Sequence, residues 1–478
     1  MSESLSHKTL RSSVWSIADV IFRQGIGFVI SIILARLLTP SDYGTVGMMT
    51  IFITIANVFV DSGFSSGLIR KIDRTDDDLS TAFFFNILVA VIVYLILFVS
   101  SPYIAAFFNI EELSLYLRVL GLVLVFNSLN MVQNAILISS MRIKQMTMVS
   151  AIAQVSTGII AIILAYRGWG VWALIFQQLF AAIFQAILLV ITTRWKPKKV
   201  FKRKSFRYLW GYGSKLLTAN LIGTIFNQAY SFVIGKVLGK RDLGLYSRSD
   251  QFAVQPENVV TNIINKALVP SLAACQNDLS RLQRNYKKCV EIISFIIFPL
   301  MFTLGIAAEP LFKVLFGSKW DGAIPLFQIL CFGYSVDIFS SLSLNLIQVM
   351  GRTDYTLKLE FFKKPFYAVI IVITIFYGLK AIVIGKAFYC LIAALINLSV
   401  IKNLLKYSYL KQVLDIFKYA IIALAILVPT YMIVSLISTN NIFRLFAFPI
   451  LGIGIYALIS YKLKFRVIEY AKQIKAKK

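Results

Sequence analysis

Six polar residues within one apolar stretch, Arg248, Gln251, Gln255, Asn258, Asn262 and Asn265, alternate at spacings of three and four. A helix with 3.6 residues per turn puts all six on one face. Their chemistry is that of recognition. Carboxamides offer donors and acceptors to a hydroxyl-rich molecule, and a guanidinium offers a planar fork to a phosphate. Glu257 and Lys266 add charge to the same stretch. Pro256 removes a backbone hydrogen bond at mid-stretch, where a bend is expected.

Other apolar stretches carry comparable faces. They hold Asn220, Thr224, Asn227 and Ser231; Thr50, Thr54, Asn57, Asp61 and Ser65; Asn127, Asn130 and Asn134; and Asp337, Ser341, Asn345 and Gln348. The first stretch carries Ser16, Asp19, Arg23, Gly27 and Ser31. A single amide in such a place reads as glue between helices, worth about 0.6 kcal/mol. Stripes that run for several turns read instead as the lining of a hydrated cavity between two lobes. Asp19 and Arg23 are one turn apart and can neutralise each other. Alternatively, Arg23 binds an anion and Asp19 tunes it. Glu360, Lys363 and Lys364 precede Pro365, and the two lysines can reach a membrane interface or a substrate.

The elements that position these faces are membrane helices. Hydrophobic residues make up 58% of the chain and charged residues 15%. That is far below the roughly 25% charged content of soluble domains. Runs of about 20 apolar residues recur, giving about 14 expected spans. They fall at 12–36, 43–69, 81–107, 113–138, 145–166 and 170–194, then 208–237, 244–273, 289–316, 323–350, 355–379 and 381–405, and finally 414–437 and 442–463. The connecting loops are too short for a soluble domain. The fold class is all-α integral membrane.

The chain also repeats itself. The run Ala35 to Gly44 recurs as Gly235 to Gly244, with Leu38 matching Leu238, Asp42 matching Asp242 and Gly44 matching Gly244. An even number of spans separates the copies, so both begin on the same membrane side. The reading is two parallel six-helix lobes, 1–200 and 201–407, with an added helix pair and basic tail at 408–478.

The net charge is +27. Most of the 49 Lys and Arg lie on loops of one side and on the two tails, the densest block running from Arg194 to Arg207. That is the positive-inside pattern, with both termini cytoplasmic and no call for nucleic acid. Asp73, Asp76, Asp77 and Asp78 read as a solvated acidic loop. Cys275, Cys289, Cys331 and Cys390 lack paired spacing and read as packing residues. His7 is the sole histidine, which excludes histidine relays within the membrane. There is no phosphate-binding glycine loop, no metal constellation and no cleavable leader pattern.

The segment Ala35 to Met49, ARLLTPSDYGTVGMM, resembles the signature of Wzx-type bacterial polysaccharide flippases. These belong to the multidrug/oligosaccharidyl-lipid/polysaccharide exporter superfamily. Asp61 to Lys71, Gly244 to Phe252 and Leu315 to Leu330 echo it. The resemblance implies 14 helices in two lobes around a central cavity. It implies transfer of an undecaprenyl-diphosphate-linked oligosaccharide across the inner membrane by alternating access, with no cofactor, driven by a proton or sodium gradient. Membrane lipids and polysaccharide assembly proteins are the expected partners. Arg23 and Arg248 are the positions that could meet the diphosphate. A drug:cation antiporter of the same fold is the first alternative. A membrane glycosyltransferase or polymerase is the second, and a channel the third; an enzyme would need a large external loop holding acid and base groups.

Overall fold

A computed structural model describes residues 25–468 and 470, apart from the side chains of residues 266, 267, 353 and 357. Asp19 and Arg23 lie outside the described residues, as does the side chain of Lys266. Among the described residues the elements are all helical. They are α1 (Gly25–Leu37), α2 (Pro40–Asp61), α3 (Phe64–Arg70), α4 (Asp76–Phe108), α5 (Leu113–Ser139), α6 (Ile143–Tyr166), α7 (Val171–Thr193) and α8 (Arg203–Val237). After them come α9 (Lys240–Ile263), α10 (Val269–Ala273), α11 (Leu279–Ile306), α12 (Ala308–Leu315), α13 (Ile324–Val349), α14 (Thr353–Thr374), α15 (Leu379–Leu405), α16 (Tyr409–Ile437) and α17 (Asn441–Lys462). Ten segments among the described residues are long and apolar enough to cross a membrane. Their outward residues, such as Leu95, Val99, Ile433, Ile450 and Leu458, are exposed. Apolar side chains on that surface fit hydrocarbon rather than water.

Two compact units divide after Gly244. The division falls later than the repeat boundary near residue 200, because α8 packs against α2, α3 and α4. The first unit centres on Phe64, Leu68, Met131, Val132 and Leu209. Phe64 stacks on Phe85 with ring centroids 4.8 Å apart. Helices α4 and α5 form an antiparallel hairpin. Tyr94 donates to the Arg118 carbonyl at 3.2 Å, and Arg118 donates to Ser101 at 2.9 Å.

The second unit is built around α13, which meets α10, α11, α12, α14 and α15. Trp320, Phe298, Phe312, Phe327 and Phe339 are fully buried there. The added pair α16–α17 is tied to α11 by charge. Glu291 is wholly buried and lies 3.5 Å from Lys418 and 3.7 Å from Arg466, while Tyr470 donates to it at 3.2 Å. Nearby, Asp415 pairs with Lys287 at 2.8 Å and accepts from Tyr407 at 2.5 Å. Burial and that carboxylate push the Tyr407 hydroxyl well above the usual tyrosine range.

The repeated junction brings backbone close to backbone within the first unit. Thr39 opens α2 with a capping box: its backbone N–H donates to Asp42 at 2.8 Å, and its hydroxyl accepts from the Asp42 N–H at 3.3 Å. Pro40 fills the first helical position, where no N–H is needed. The second copy opens α9 differently, through Gly239 at φ 88°. The matched glycines then cross reciprocally. A Cβ on Gly44 would overlap the Lys240 carbonyl, and one on Gly244 would overlap the Pro40 carbonyl. Position 240 is the repeat partner of 40, so the contact has local twofold symmetry.

Three expectations change. The acidic residues are not a solvated loop. Asp76, Asp77 and Asp78 form the first turn of α4, capped by Thr75, where carboxylates favour the helix N-terminus. They hold the basic linker: Lys198 pairs with Asp76 at 3.0 Å, Lys202 pairs with Asp77, and Lys71 pairs with Asp78 at 2.7 Å. The backbone N–H of Lys198 donates to Ser80 at 2.9 Å. Asp76 pulls the Lys198 ammonium above its ordinary range through a hydrogen bond and its charge. The expected span 43–69 is one of the ten apolar segments, Pro40–Arg70, but a left-handed corner at Ser62 and Gly63 divides it into two helices. Finally, the span expected at 244–273 is not one regular helix: α9 runs through Pro256 to Ile263. The irregularity is a π-helical turn at Ile264–Leu268, just before Pro270. The Pro270 ring crowds the carbonyl four residues back, and a widened turn relieves that clash.

Candidate functional site

Helix α9 presents two kinds of chemistry. Gln251, Asn258, Asn262 and Asn265 are exposed and Gln255 is half-buried, which leaves amides available along that side. Arg248 belongs to the same spacing but is buried. Its guanidinium donates to Gln251 Oε1 at 2.6 Å and lies 5.7 Å from the Phe252 ring centre. Asn265 accepts from Asn345 at 2.9 Å, a helix–helix bond between the π-helical turn and α13. Gln348, one turn further along α13, is exposed, and Asn345 is half-buried.

In the first unit the amide faces are partly spent on packing. Asn127 on α5 donates to Asn57 on α2 at 3.1 Å, and Asn57 donates to the Ile53 carbonyl of its own helix at 2.9 Å. Asn130 is buried, and the carboxamide oxygens of Asn130 and Asn134 have no partner among the described residues. Asp61 is half-buried at the end of α2, while Asn220 and Asn227 on α8 are exposed. The glue reading therefore describes the Asn57–Asn127 and Asn265–Asn345 pairs. The exposed amides of α8 and α9 keep their hydrogen-bonding capacity.

The other side of α9 holds a charged cluster of which the sequence reading named Glu257, Asp337, Glu360 and Lys363 but passed over Asp250 and Lys386. The Lys386 ammonium on α15 donates to Asp250 at 2.5 Å, to the Tyr246 hydroxyl at 2.8 Å and to the Tyr334 hydroxyl at 3.0 Å. Tyr334 donates to Asp250 at 2.6 Å. Glu257, two turns along α9, is buried, and Asp337, Lys386 and Asp250 are its charged neighbours. Asp337 in turn faces Lys363, Lys386 and Glu360. Lys363 is buried and pairs with Glu360 at 2.7 Å. The signal that could have found the cluster is a charge inside an apolar helix, Lys386 within 381–405, where the other charge, Lys402, lies in the last turn. Such a residue seldom sits there without a partner.

Among the described residues no group of His, Cys, Asp and Glu could hold a metal ion. The four cysteines are buried free thiols.

Comparison with known proteins places this architecture. WzxC of Escherichia coli K12, a lipopolysaccharide biosynthesis protein, is 24% identical over 90% of this chain and 88% of its own. ExoT of Rhizobium meliloti, a succinoglycan biosynthesis transport protein, is 27% identical over 69% and 67%. Among solved structures, the lipid II flippase MurJ in an inward closed conformation superposes with a TM-score of 0.75. That match covers 97% of this chain and all of MurJ at 15% identity, a likeness of fold. An inward-facing multidrug resistance transporter of the MATE family aligns over 80% of this chain and 96% of its own, with a TM-score of 0.62 at 17% identity. The family model described as "Polysaccharide biosynthesis protein" matches residues 33–325, which include the repeated junction, the exposed amides of α8 and α9, and Asp250. The chain is a multi-pass membrane protein and belongs to that polysaccharide biosynthesis family.

Proposed function

We propose that the protein is a flippase carrying a lipid-diphosphate-linked oligosaccharide across the bacterial inner membrane by alternating access. The observation that carries this reading is the set of exposed amides with no hydrogen-bond partner among the described residues, Asn258 and Asn262 on α9 and Asn220 and Asn227 on α8, within so apolar a chain. Sugar hydroxyls need such donors and acceptors, and lipid tails do not. The related transporters of polysaccharide pathways support it. In this reading α1, α8, α9 and α14 join the ten apolar segments as spans, which gives 14. The polar faces of α8, α9 and α14 lower their hydropathy, as a hydrated path requires, while α1 is apolar and described from Gly25 onward. Both termini and the Arg194–Arg207 block then face the cytoplasm, and the Arg36–Asp42 turn faces the periplasm. The lipid is of undecaprenyl-diphosphate type, the drive is a proton or sodium gradient, and polysaccharide assembly proteins are partners. Transport, with no covalent chemistry, is the whole activity.

The test is a deletion strain that stops making its surface polysaccharide and accumulates the lipid-linked unit in the cytoplasmic leaflet. The wild-type gene should restore export. Arg23→Ala should abolish export at normal protein level, and Arg23→Lys should rescue only in part, because a point charge lacks the bidentate fork. Export restored by Asp19→Asn with Arg23→Gln would defeat the diphosphate role of Arg23. Unchanged polysaccharide with lost resistance to toxic cations would favour the antiporter.

A further inference from the structure

We propose that the α4–α5 hairpin holds a binding site for the phosphate of an anionic phospholipid, with the Arg118 guanidinium as its anchor. Its assignment to the periplasmic leaflet rests on the topology of the flippase reading; the site itself does not.

The argument begins at Pro102, inside α4. A proline has no N–H, so the Phe98 carbonyl four residues back lacks its helical donor. The Ser101 hydroxyl donates to that carbonyl instead, at 2.8 Å. A hydroxyl has one proton and two lone pairs. With its proton spent, Ser101 can only accept from its other neighbours. These are Arg118 Nε at 2.9 Å and the Ser114 hydroxyl at 3.1 Å, which is thereby the donor. Ser101 is fully buried, and its hydrogen-bonding capacity is used up. The guanidinium is held from a second side by the Phe98 ring, whose centre lies 4.5 Å away. Beneath it the helices pack closely. Tyr94 donates to the Arg118 carbonyl at 3.2 Å, and a Cβ on Gly121 would press on the Tyr94 ring.

The guanidinium is thus aimed by neutral groups, and its charge is not offset. Among the described residues no carboxylate lies within ion-pair distance of Arg118, and its two terminal nitrogens donate to no protein group. Lys386 and Lys363, by contrast, each meet an acid. A cation within a span is costly unless something offsets it. Position selects that something. Helix α5 has 27 residues, about 40 Å, which matches the hydrocarbon core with its headgroup regions. Arg118 lies in the second turn of α5, about 8 Å from its end. That is the depth at which lipid phosphates meet acyl chains. The exposed side chains of Leu95, Val99 and Leu115 offer an apolar surface on the same hairpin for those chains. The two terminal nitrogens form the fork that takes two phosphate oxygens at once. A lipid of net negative charge fits better than a zwitterion, because the charge to be balanced is whole.

The experiment uses the purified full chain in detergent, stripped of lipid, and needs no transport, so its outcome is independent of the flippase reading. Native mass spectrometry follows binding of dioleoylphosphatidylglycerol and dioleoylphosphatidylcholine. The wild type should retain a first phosphatidylglycerol at a concentration about tenfold below that needed for phosphatidylcholine, the strength of a charged hydrogen bond. Arg118→Gln should erase that preference for the first lipid. Arg118→Lys should recover only a small part of it, because an ammonium cannot hold Ser101 and present a fork together. Arg167→Gln removes an exposed arginine at the end of α6 and should leave the preference intact. Phosphatidylglycerol should raise the melting temperature of the wild type, and inorganic phosphate alone should not. Equal retention of both lipids by the wild type would overturn the proposal. So would full preference in Arg118→Gln or Arg118→Lys, or loss of it in Arg167→Gln. Equal protection by inorganic phosphate would assign the site to a free anion and overturn the lipid. If Arg118→Gln fails to fold, Arg118→Lys and the phosphate comparison still decide.

Discussion

Helices α2 and α9 are copies of one sequence element put to different uses. Position 50 is Thr in the first copy and Asp in the second; position 57 is Asn, and its partner 257 is Glu. Thr50 returns its hydroxyl to the Val46 carbonyl of its own helix at 2.8 Å. Asp250 instead meets a lysine and a tyrosine from two other helices. Asn57 joins an amide–amide bond to α5, whereas Glu257 sits among charges. The same scaffold thus holds neutral hydrogen bonds in one copy and a charged network in the other. In a low-dielectric setting the neutral bonds can be lost at small cost, and the charges cannot. Duplication lets one copy keep the packing role while the other acquires ionisable chemistry.

The largest expected effect tests that contrast directly. Asp250→Asn leaves the Lys386 charge without its counter-ion; the pair is part-buried, so the cost should lie below the about 3–5 kcal/mol of a fully buried pair. Protein level and melting temperature in detergent should both fall. Adding Lys386→Met should recover most of the loss, because a neutral pair leaves no stranded charge. The matched change Thr50→Val should shift the melting temperature little. If the two single variants behaved alike, the difference drawn between the copies would be wrong.

The glycine crossing is where the copies should agree. Gly44→Ala and Gly244→Ala each force a methyl into a backbone carbonyl. Overpacking of this kind costs about 1–3 kcal/mol. The two should lower the melting temperature by similar amounts, since each glycine meets the repeat partner of the other's contact. A tolerant Gly244→Ala beside a damaging Gly44→Ala would break the local symmetry.

The openings of the two helices sharpen the comparison further. Thr39→Ala removes the capping box of α2 and should cost about 1 kcal/mol. Gly239→Ala imposes a side chain on a left-handed residue and should cost about 1 kcal/mol by strain instead. Gly239→Asn should restore much of that loss, because Asn tolerates the left-handed region. Thr39→Ser should leave stability unchanged, whereas Thr39→Asp would lose the hydroxyl proton that Asp42 accepts and set two carboxylates against each other. Urea or thermal unfolding in detergent would read these values.

The smallest effect belongs to the amide pair. Asn57→Ala and Asn127→Ala should each cost about 0.6 kcal/mol, and the double variant little more than either single one. A double-mutant cycle in which the costs simply add would show that the Asn57–Asn127 bond is not what holds α2 to α5.

Much of the architecture was legible from local rules. The repeat at Ala35–Gly44 and Gly235–Gly244, the Thr39–Asp42 capping box and the apolar runs are written in residue order and need no partner to be recognised. The exposed amide row of α9 followed from spacing alone, because a helical period fixes which residues share a face. The fate of each polar group did not follow. Spacing put Arg248 with the amides, but neighbouring side chains bury it against Gln251 and Phe252. The acidic turn Asp76–Asp78 read as solvated because its partners, Lys198 and Lys202, are far away in sequence. The π-helical turn ahead of Pro270 was not legible, because a proline in the sequence tells that a backbone hydrogen bond is missing but not how the helix takes up the loss. Lys386 carried no meaning until α9, α13 and α15 brought Asp250, Tyr334 and Tyr246 around it. The sequence by itself determined the solvent this protein lives in, the repeated junction and which polar residues share a helix face. Hydropathy, period and repetition act along the chain. Only the tertiary structure decided which polar groups spend their hydrogen bonds on each other and which stay available, because that depends on the distance between residues that sequence separates.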